Sequence, residues 1–133
     1  MMTKGFRFMK PVALIAAASL AIGGSAMAQQ SLGDPVRGKT VYARCAACHD
    51  LNTGATRLGP SLKGVVGRTS GTMPNFNYSQ ALKDTAVVWN AQSLDAFLSG
   101  PSKYVPGNRM AFPPLASPQD RADLIAFLEQ SAR

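Results

Sequence analysis

Cys45, Cys48 and His49 are the whole cysteine and histidine content of the chain, and they fall within five consecutive positions of the stretch ARCAACHDL, residues 43–51. Three chemistries compete for such residues. A structural zinc ion needs about four ligands, and two thiols with one imidazole fall short. A redox dithiol of the C-x-x-C type belongs with a βαβ pattern, which this sequence lacks. Export favours disulfides in general, but a bridge across two residues is an odd use of the only pair.

The order Cys-Ala-Ala-Cys-His instead reads as c-type haem attachment. Spacing supplies the reason. At the end of a helix, two thiols three residues apart reach the two vinyl edges of one porphyrin and form thioethers. The adjacent imidazole then lies under the iron. A ligand one residue from two covalent anchors is fixed with little further loss of chain entropy. His49 being the only histidine, the opposite axial ligand has Met73 and Met110 as its candidates after residue 28, with a lysine third.

The elements that must position these groups begin after a leader. Lys4, Arg7 and Lys10 form a positive region, residues 11–24 are apolar, and Ala26-Met27-Ala28 is a small-x-small cleavage site. Residues 1–28 therefore read as a cleaved signal peptide. The apolar run is short for a membrane span, so no stable insertion is expected after cleavage. Export points to a bacterial periplasm. The leader holds three positive charges and no negative one, so its removal lowers the formal net charge from +7 to +4. The remaining charges are scattered, which does not indicate nucleic-acid binding.

Residues 29–133 make one small domain. Residues 29–33 look like a loose lead. Asp34 is a good N-cap and Pro35 suits the first helical position, so a helix is expected through Val36, Val41 and Tyr42 toward Cys45. Gly38 inside it costs about 1 kcal/mol relative to Ala and implies a close backbone approach. Residues 51–74 read as loop and turns, and 79–84 as a short helix. Over 90–99, Leu94, Phe97 and Leu98 share one helical face, and Gly100-Pro101 ends the helix. The prolines of 103–116 predict irregular chain. Ser117, Pro118 and Asp120 then start a final helix with an apolar stripe of Leu124, Ile125, Phe127 and Leu128. The expectation is all-α, with three to five helices and long loops. Such loops need something to pack on. A macrocycle would supply it, and the apoprotein is expected to be largely unfolded.

The motif is accompanied, in order, by LGPSLKGVVGR (58–68), NFNYSQA (75–81), Trp89, YVPGNRMAF (104–112) and RADLIAFL (121–128). With these segments the chain resembles the class I c-type cytochromes, in particular the bacterial branch similar to mitochondrial cytochrome c, over essentially all of 29–133. The resemblance implies the class I cytochrome c fold, wrapped around one haem c. It implies thioethers at Cys45 and Cys48 and axial ligation by His49 and Met110. Pro60 would accept the His49 ring N–H and so orient the imidazole. Arg68, Tyr78 and Trp89 would hold a haem propionate, one cation and two donors for a carboxylate that is costly to bury alone. Gly38 and Tyr42 would cross the C-terminal helix near Leu124 and Phe127, and Phe112 would cover the haem edge.

Departures from the family accompany the match. Leu82, Phe97 and Asn108 stand where the family usually has Asn, Tyr and Thr linking an internal water near the methionine. Phe97 has no O–H for the Met110 sulfur, so a drier network is expected there. The basic docking ring is thinner, with Arg44, Arg57, Lys103 and Arg109 as its candidates.

Met/His ligation fills both axial sites and raises the potential. The implied function is one-electron transfer by a soluble monomer, not catalysis. Redox partners would dock at the basic haem edge and dissociate with salt. The donor would be a quinol–cytochrome c oxidoreductase or a dehydrogenase, the acceptor a terminal oxidase or reductase. The alternative is a haem enzyme or gas sensor with a labile or open sixth site.

Overall fold

Asp34 sets the first helix as its residue type predicts. Its carboxylate accepts from the N–H groups of Val36 and Arg37, and Pro35 opens α1, Pro35–Tyr42. The computed structural model describes residues 32–131. The signal-peptide expectation for 1–28 lies outside the described residues. Helical turns continue beyond α1, because Cys45 and Ala46 donate to the Tyr42 carbonyl and Cys48 and His49 donate to that of Cys45.

Four more helices follow. Ser79 caps α2, Gln80–Thr85, through its hydroxyl. Asn90 and Ser93 form a reciprocal capping box on α3, Ala91–Ser99. The four-residue α4 is Pro101–Tyr104. The longest, α5, is Pro118–Ser131, and the Ser117 hydroxyl accepts from the Asp120 N–H at its start. No strand is present among the described residues, only an isolated bridge between Thr69 and Val88.

Two local expectations are corrected. Gly100-Pro101 ends α3, but the same proline begins α4, so Lys103 and Tyr104 are helical rather than irregular. A proline that cannot continue one helix is pre-set for the first turn of the next. Gly33 is also no part of a loose lead. A Cβ there would meet the Ala122 carbonyl oxygen of α5 at 2.0 Å.

The helix α5 packs on α1 and on α3, and α4 packs on α3. At the α1–α5 crossing a Cβ on Gly38 would fall 2.0 Å from the Asp123 carbonyl oxygen and 2.7 Å from Phe127 Cβ. Beside the crossing, the Asp123 carboxylate is 2 % exposed. It accepts from Arg37 Nε at 2.7 Å, Arg37 Nη2 at 3.1 Å, the Asp34 N–H at 2.7 Å and Gln119 Nε2 at 2.8 Å. A buried carboxylate with this many donors is satisfied rather than orphaned. On the other flank, Arg121 bonds Asp95 of α3 and the carbonyls of Leu115 and Ala116. Leu94, Phe97, Leu98, Leu124, Ile125 and Leu128 form the core where α3 meets α5.

Candidate functional site

The turns after α1 bring Cys45, Cys48 and His49 into the wall of a cavity of about 680 Å3. Pockets that enclose small molecules and cofactors span roughly 300–1,000 Å3. The cavity wall is mostly apolar, with Leu62, Val65, Leu82, Leu94, Phe97, Leu98, Leu124 and Leu128 among its residues. Neither cysteine is in a disulfide. Burial raises the pKa of the Cys45 thiol, which keeps it protonated.

His49 is held at three points. Its Nδ1 lies 2.7 Å from the Pro60 carbonyl oxygen. The Tyr42 hydroxyl donates to its backbone carbonyl at 2.7 Å. Gly59 passes against the ring, where a Cβ would come within 2.4 Å of Cε1. Burial lowers the imidazole pKa, and the Pro60 bond opposes that shift only in part. The ring is thus neutral, with its proton on Nδ1 donated to Pro60. That leaves the Nε2 lone pair without a hydrogen-bond partner, on a ring that lines the cavity. A histidine whose second nitrogen is fixed by a carbonyl is arranged as a metal ligand.

A short pairing brings two distant residues together. Gly67 N–H donates to the Trp89 carbonyl at 2.7 Å, Trp89 N–H to the Arg68 carbonyl at 2.9 Å, and Ser70 N–H to the Val87 carbonyl at 2.7 Å. Arg68 and Trp89 thereby reach the same cavity, and Tyr78 joins them. The Arg68 guanidinium donates to the Ser61 carbonyl at 2.7 Å, the Lys63 carbonyl at 3.0 Å and the Met73 sulfur at 3.3 Å. Burial lowers its pKa and raises that of Tyr78, whose phenol the Arg68 charge pulls back down. Met73, one of the two methionine candidates, is thus an acceptor for Arg68 and is absent from the cavity wall, whereas Met110 is part of it.

All nine residues singled out as cofactor-binding line this one cavity: Cys45, Cys48, His49, Pro60, Arg68, Tyr78, Trp89, Met110 and Phe112. The four docking candidates are less uniform. The Arg44 guanidinium lies 5.5 Å over the Phe112 ring, and Arg109 donates to the Asn77 carbonyl; both line the cavity. Arg57 bonds the Ala46 carbonyl at 3.1 Å and lies 3.7 Å from Asp50. Lys103 is exposed on α4 and is not part of the cavity wall. Leu82, Phe97 and the leucines of the two helical faces are marked in sequence, whereas Gly59, Leu62 and Val65 stand out only as members of the 58–68 segment.

The set fits a porphyrin bound through two thiols. Apolar walls suit the macrocycle, both thiols line the same cavity, and an imidazole nitrogen stands ready without a partner. The sequence profile of the family described as "Cytochrome c" matches residues 35–132. This chain belongs to the cytochrome c family. A cytochrome c of Ulva intestinalis is 43 % identical over 109 residues, covering 80 % of this chain and 98 % of that protein. A cytochrome c2 of Rhodomicrobium vannielii is 45 % identical over 97 residues, covering 72 % and 78 %. Among solved structures, cytochrome cH from Methylobacterium extorquens superposes with a TM-score of 0.70 at 38 % identity, covering 74 % of this chain and 99 % of that one. The all-α class I cytochrome c fold is therefore the fold of this chain. Cytochromes c carry covalent haem c, and Cys45, Cys48 and His49 form the attachment motif here. As a member of the cytochrome c family it is a haem electron carrier and not an enzyme.

Proposed function

We propose that this cytochrome c is a soluble, monomeric, periplasmic shuttle whose iron is ligated by His49 and Met110. Residues 1–28 act as its cleaved signal peptide, and 29–133 are the working domain. The reading rests above all on the His49 ring, with Nδ1 committed to Pro60 and Nε2 facing a cavity that Met110 also lines. Haem supplies a one-electron Fe(III)/Fe(II) couple when bound. The protein's part is to hold, shield and tune it. Cys45 and Cys48 anchor the macrocycle by thioethers. Arg68, Tyr78 and Trp89 receive a propionate. Phe112 covers the edge.

His49 and Met110 would together hold the iron, leave no place on it for a substrate and raise its potential. Redox partners dock beside the cavity, where Arg44 and Arg109 of its wall, with Arg57 and Lys103 outside it, attract an acidic surface. Exchange with them weakens as salt rises. A quinol–cytochrome c oxidoreductase or a dehydrogenase is the donor, and a terminal oxidase or reductase the acceptor.

The test is an optical spectrum of the exported protein, oxidised, then reduced, then exposed to CO. A ferric sulfur–iron charge-transfer band with no CO shift is expected, as is loss of that band in Met110→Ala but not in Met73→Ala. A missing band with ready CO binding would overturn the reading in favour of an open-iron enzyme or gas sensor.

A further inference from the structure

Met110 sits in a strap whose main chain has few fixed points. Pro106 and Gly107 turn the chain, with Gly107 at φ +88, and Asn108 follows. The Asn108 side chain makes three hydrogen bonds at once. Its Nδ2 donates to the Pro101 carbonyl and to the Val105 carbonyl, each at 2.8 Å. Its Oδ1 accepts from the Met110 N–H at 2.9 Å. The two carbonyls belong to the ends of α4, and Pro101 and Val105 are among the most fully buried side chains of the protein.

From these contacts we infer that Asn108 is a positioning residue, which fastens the Met110 main chain to the buried platform of α4. The inference rests on Met110 being the axial ligand. The residue type matches the task. A carboxamide alone offers an acceptor on one side and two N–H donors on the other. The reverse amide orientation would set N–H against the Met110 N–H and oxygen against two carbonyls, so the geometry fixes its sense. A hydroxyl cannot span both sides, and a carboxylate would face the two carbonyls with like charge density. The amide is also wholly spent on backbone, so it donates nothing to the Met110 sulfur. Its effect on the iron passes through position alone.

The experiment uses the haem-loaded protein and four variants: Asn108→Ala, Asn108→Asp, Asn108→Ser and Met110→Ala. Three quantities are read: the ferric sulfur–iron band, the affinity of the ferric protein for added imidazole, and the denaturant midpoint. Loss of the three side-chain hydrogen bonds at the strap is expected to raise imidazole affinity about tenfold in Asn108→Ala. Asn108→Asp should equal or exceed it, because a carboxylate oxygen would replace the donor and face the Pro101 and Val105 carbonyls with like charge density. Asn108→Ser, which can still accept from the Met110 N–H, should fall between wild type and Ala. A lower denaturant midpoint with wild-type imidazole affinity in all three would overturn the inference, since a merely structural residue behaves so. Met110→Ala separates the two readings. If it abolishes the band while the Asn108 variants bind imidazole like wild type, only the Asn108 role fails. If Met110→Ala keeps the band, the ligation reading fails and the Asn108 role falls with it.

Discussion

The Tyr42 hydroxyl and the His49 carbonyl are joined by a 2.7 Å hydrogen bond, which ties the last residue of α1 to the end of the attachment motif seven positions on. The same tyrosine ring stacks at a tilt on Phe127 of α5, centroids 5.5 Å apart. One side chain therefore serves the helix crossing with its ring and the haem-binding turn with its oxygen. Tyr42→Phe keeps the first contact and deletes the second. The expected loss is about 1 kcal/mol, the net worth of one such bond. It should be read as a lower urea midpoint of the haem protein with its visible spectrum preserved.

Asp123 makes a pH prediction with a defined sign. Its bonds from Arg37, Asp34 and Gln119 lower its pKa from 3.8 to about 2, against the opposing effect of burial. A carboxyl depressed in the folded state stabilises it above the unfolded pKa, and that stabilisation is lost as pH falls toward and through the folded value. The difference in urea midpoint between wild type and Asp123→Asn should therefore be level above about pH 5 and shrink progressively toward about pH 2. A difference independent of pH across that window would contradict the ion pair.

Glycine substitution separates crowding from backbone strain. At Gly38 a Cβ meets the Asp123 carbonyl at 2.0 Å, whereas at Gly64, φ +64, nothing lies within 4 Å. Gly64→Ala should cost about 1–2 kcal/mol, the left-handed backbone penalty. Gly38→Ala should cost about 3 kcal/mol or more, the upper end for overpacking, because rigid backbone rather than a movable side chain must yield. Chemical denaturation of both variants decides it, and equal losses would refute the close crossing.

Removing the haem should remove the fold. At about 24 cal/mol per Å3, an unfilled 680 Å3 cavity would cost on the order of 16 kcal/mol if its walls stayed put. A domain of this size is stable by about 5–15 kcal/mol. The walls cannot stay put. A Cys45→Ser, Cys48→Ser double variant made without haem should lose the near-ultraviolet dichroism of Trp89 and melt without a cooperative transition. A sharp melt of that apoprotein would show a core sufficient by itself.

Much of this was legible in the residue types. Asp34-Pro35 announces α1, the Leu94/Phe97/Leu98 face announces α3, and the Cys-x-x-Cys-His order announces the haem. What stayed hidden depends on partners far along the chain. Asp123 carries no signal of its own in the sequence, and its role emerges only when α1 supplies Arg37 and the Asp34 N–H. Gly33 looks like slack until Ala122 is laid against it. Asn108 reads in sequence only as a departure in the polar network beside the methionine, and its hydrogen-bonding proves to be consumed locally by α4 and Met110. In each case local pattern carries the residue's tendency, and only the tertiary neighbour determines how that tendency is used.

The α1–α5 crossing also sets an order of events. Arg37 and Asp34 must wait for Asp123, more than eighty residues later, before their bonds can form. An eight-residue helix does not persist alone in water. Before α5 is in place, the first segment therefore has no settled structure, and the thiols of Cys45 and Cys48 stay reachable. Only the packing of the last helix on α1 fixes that segment.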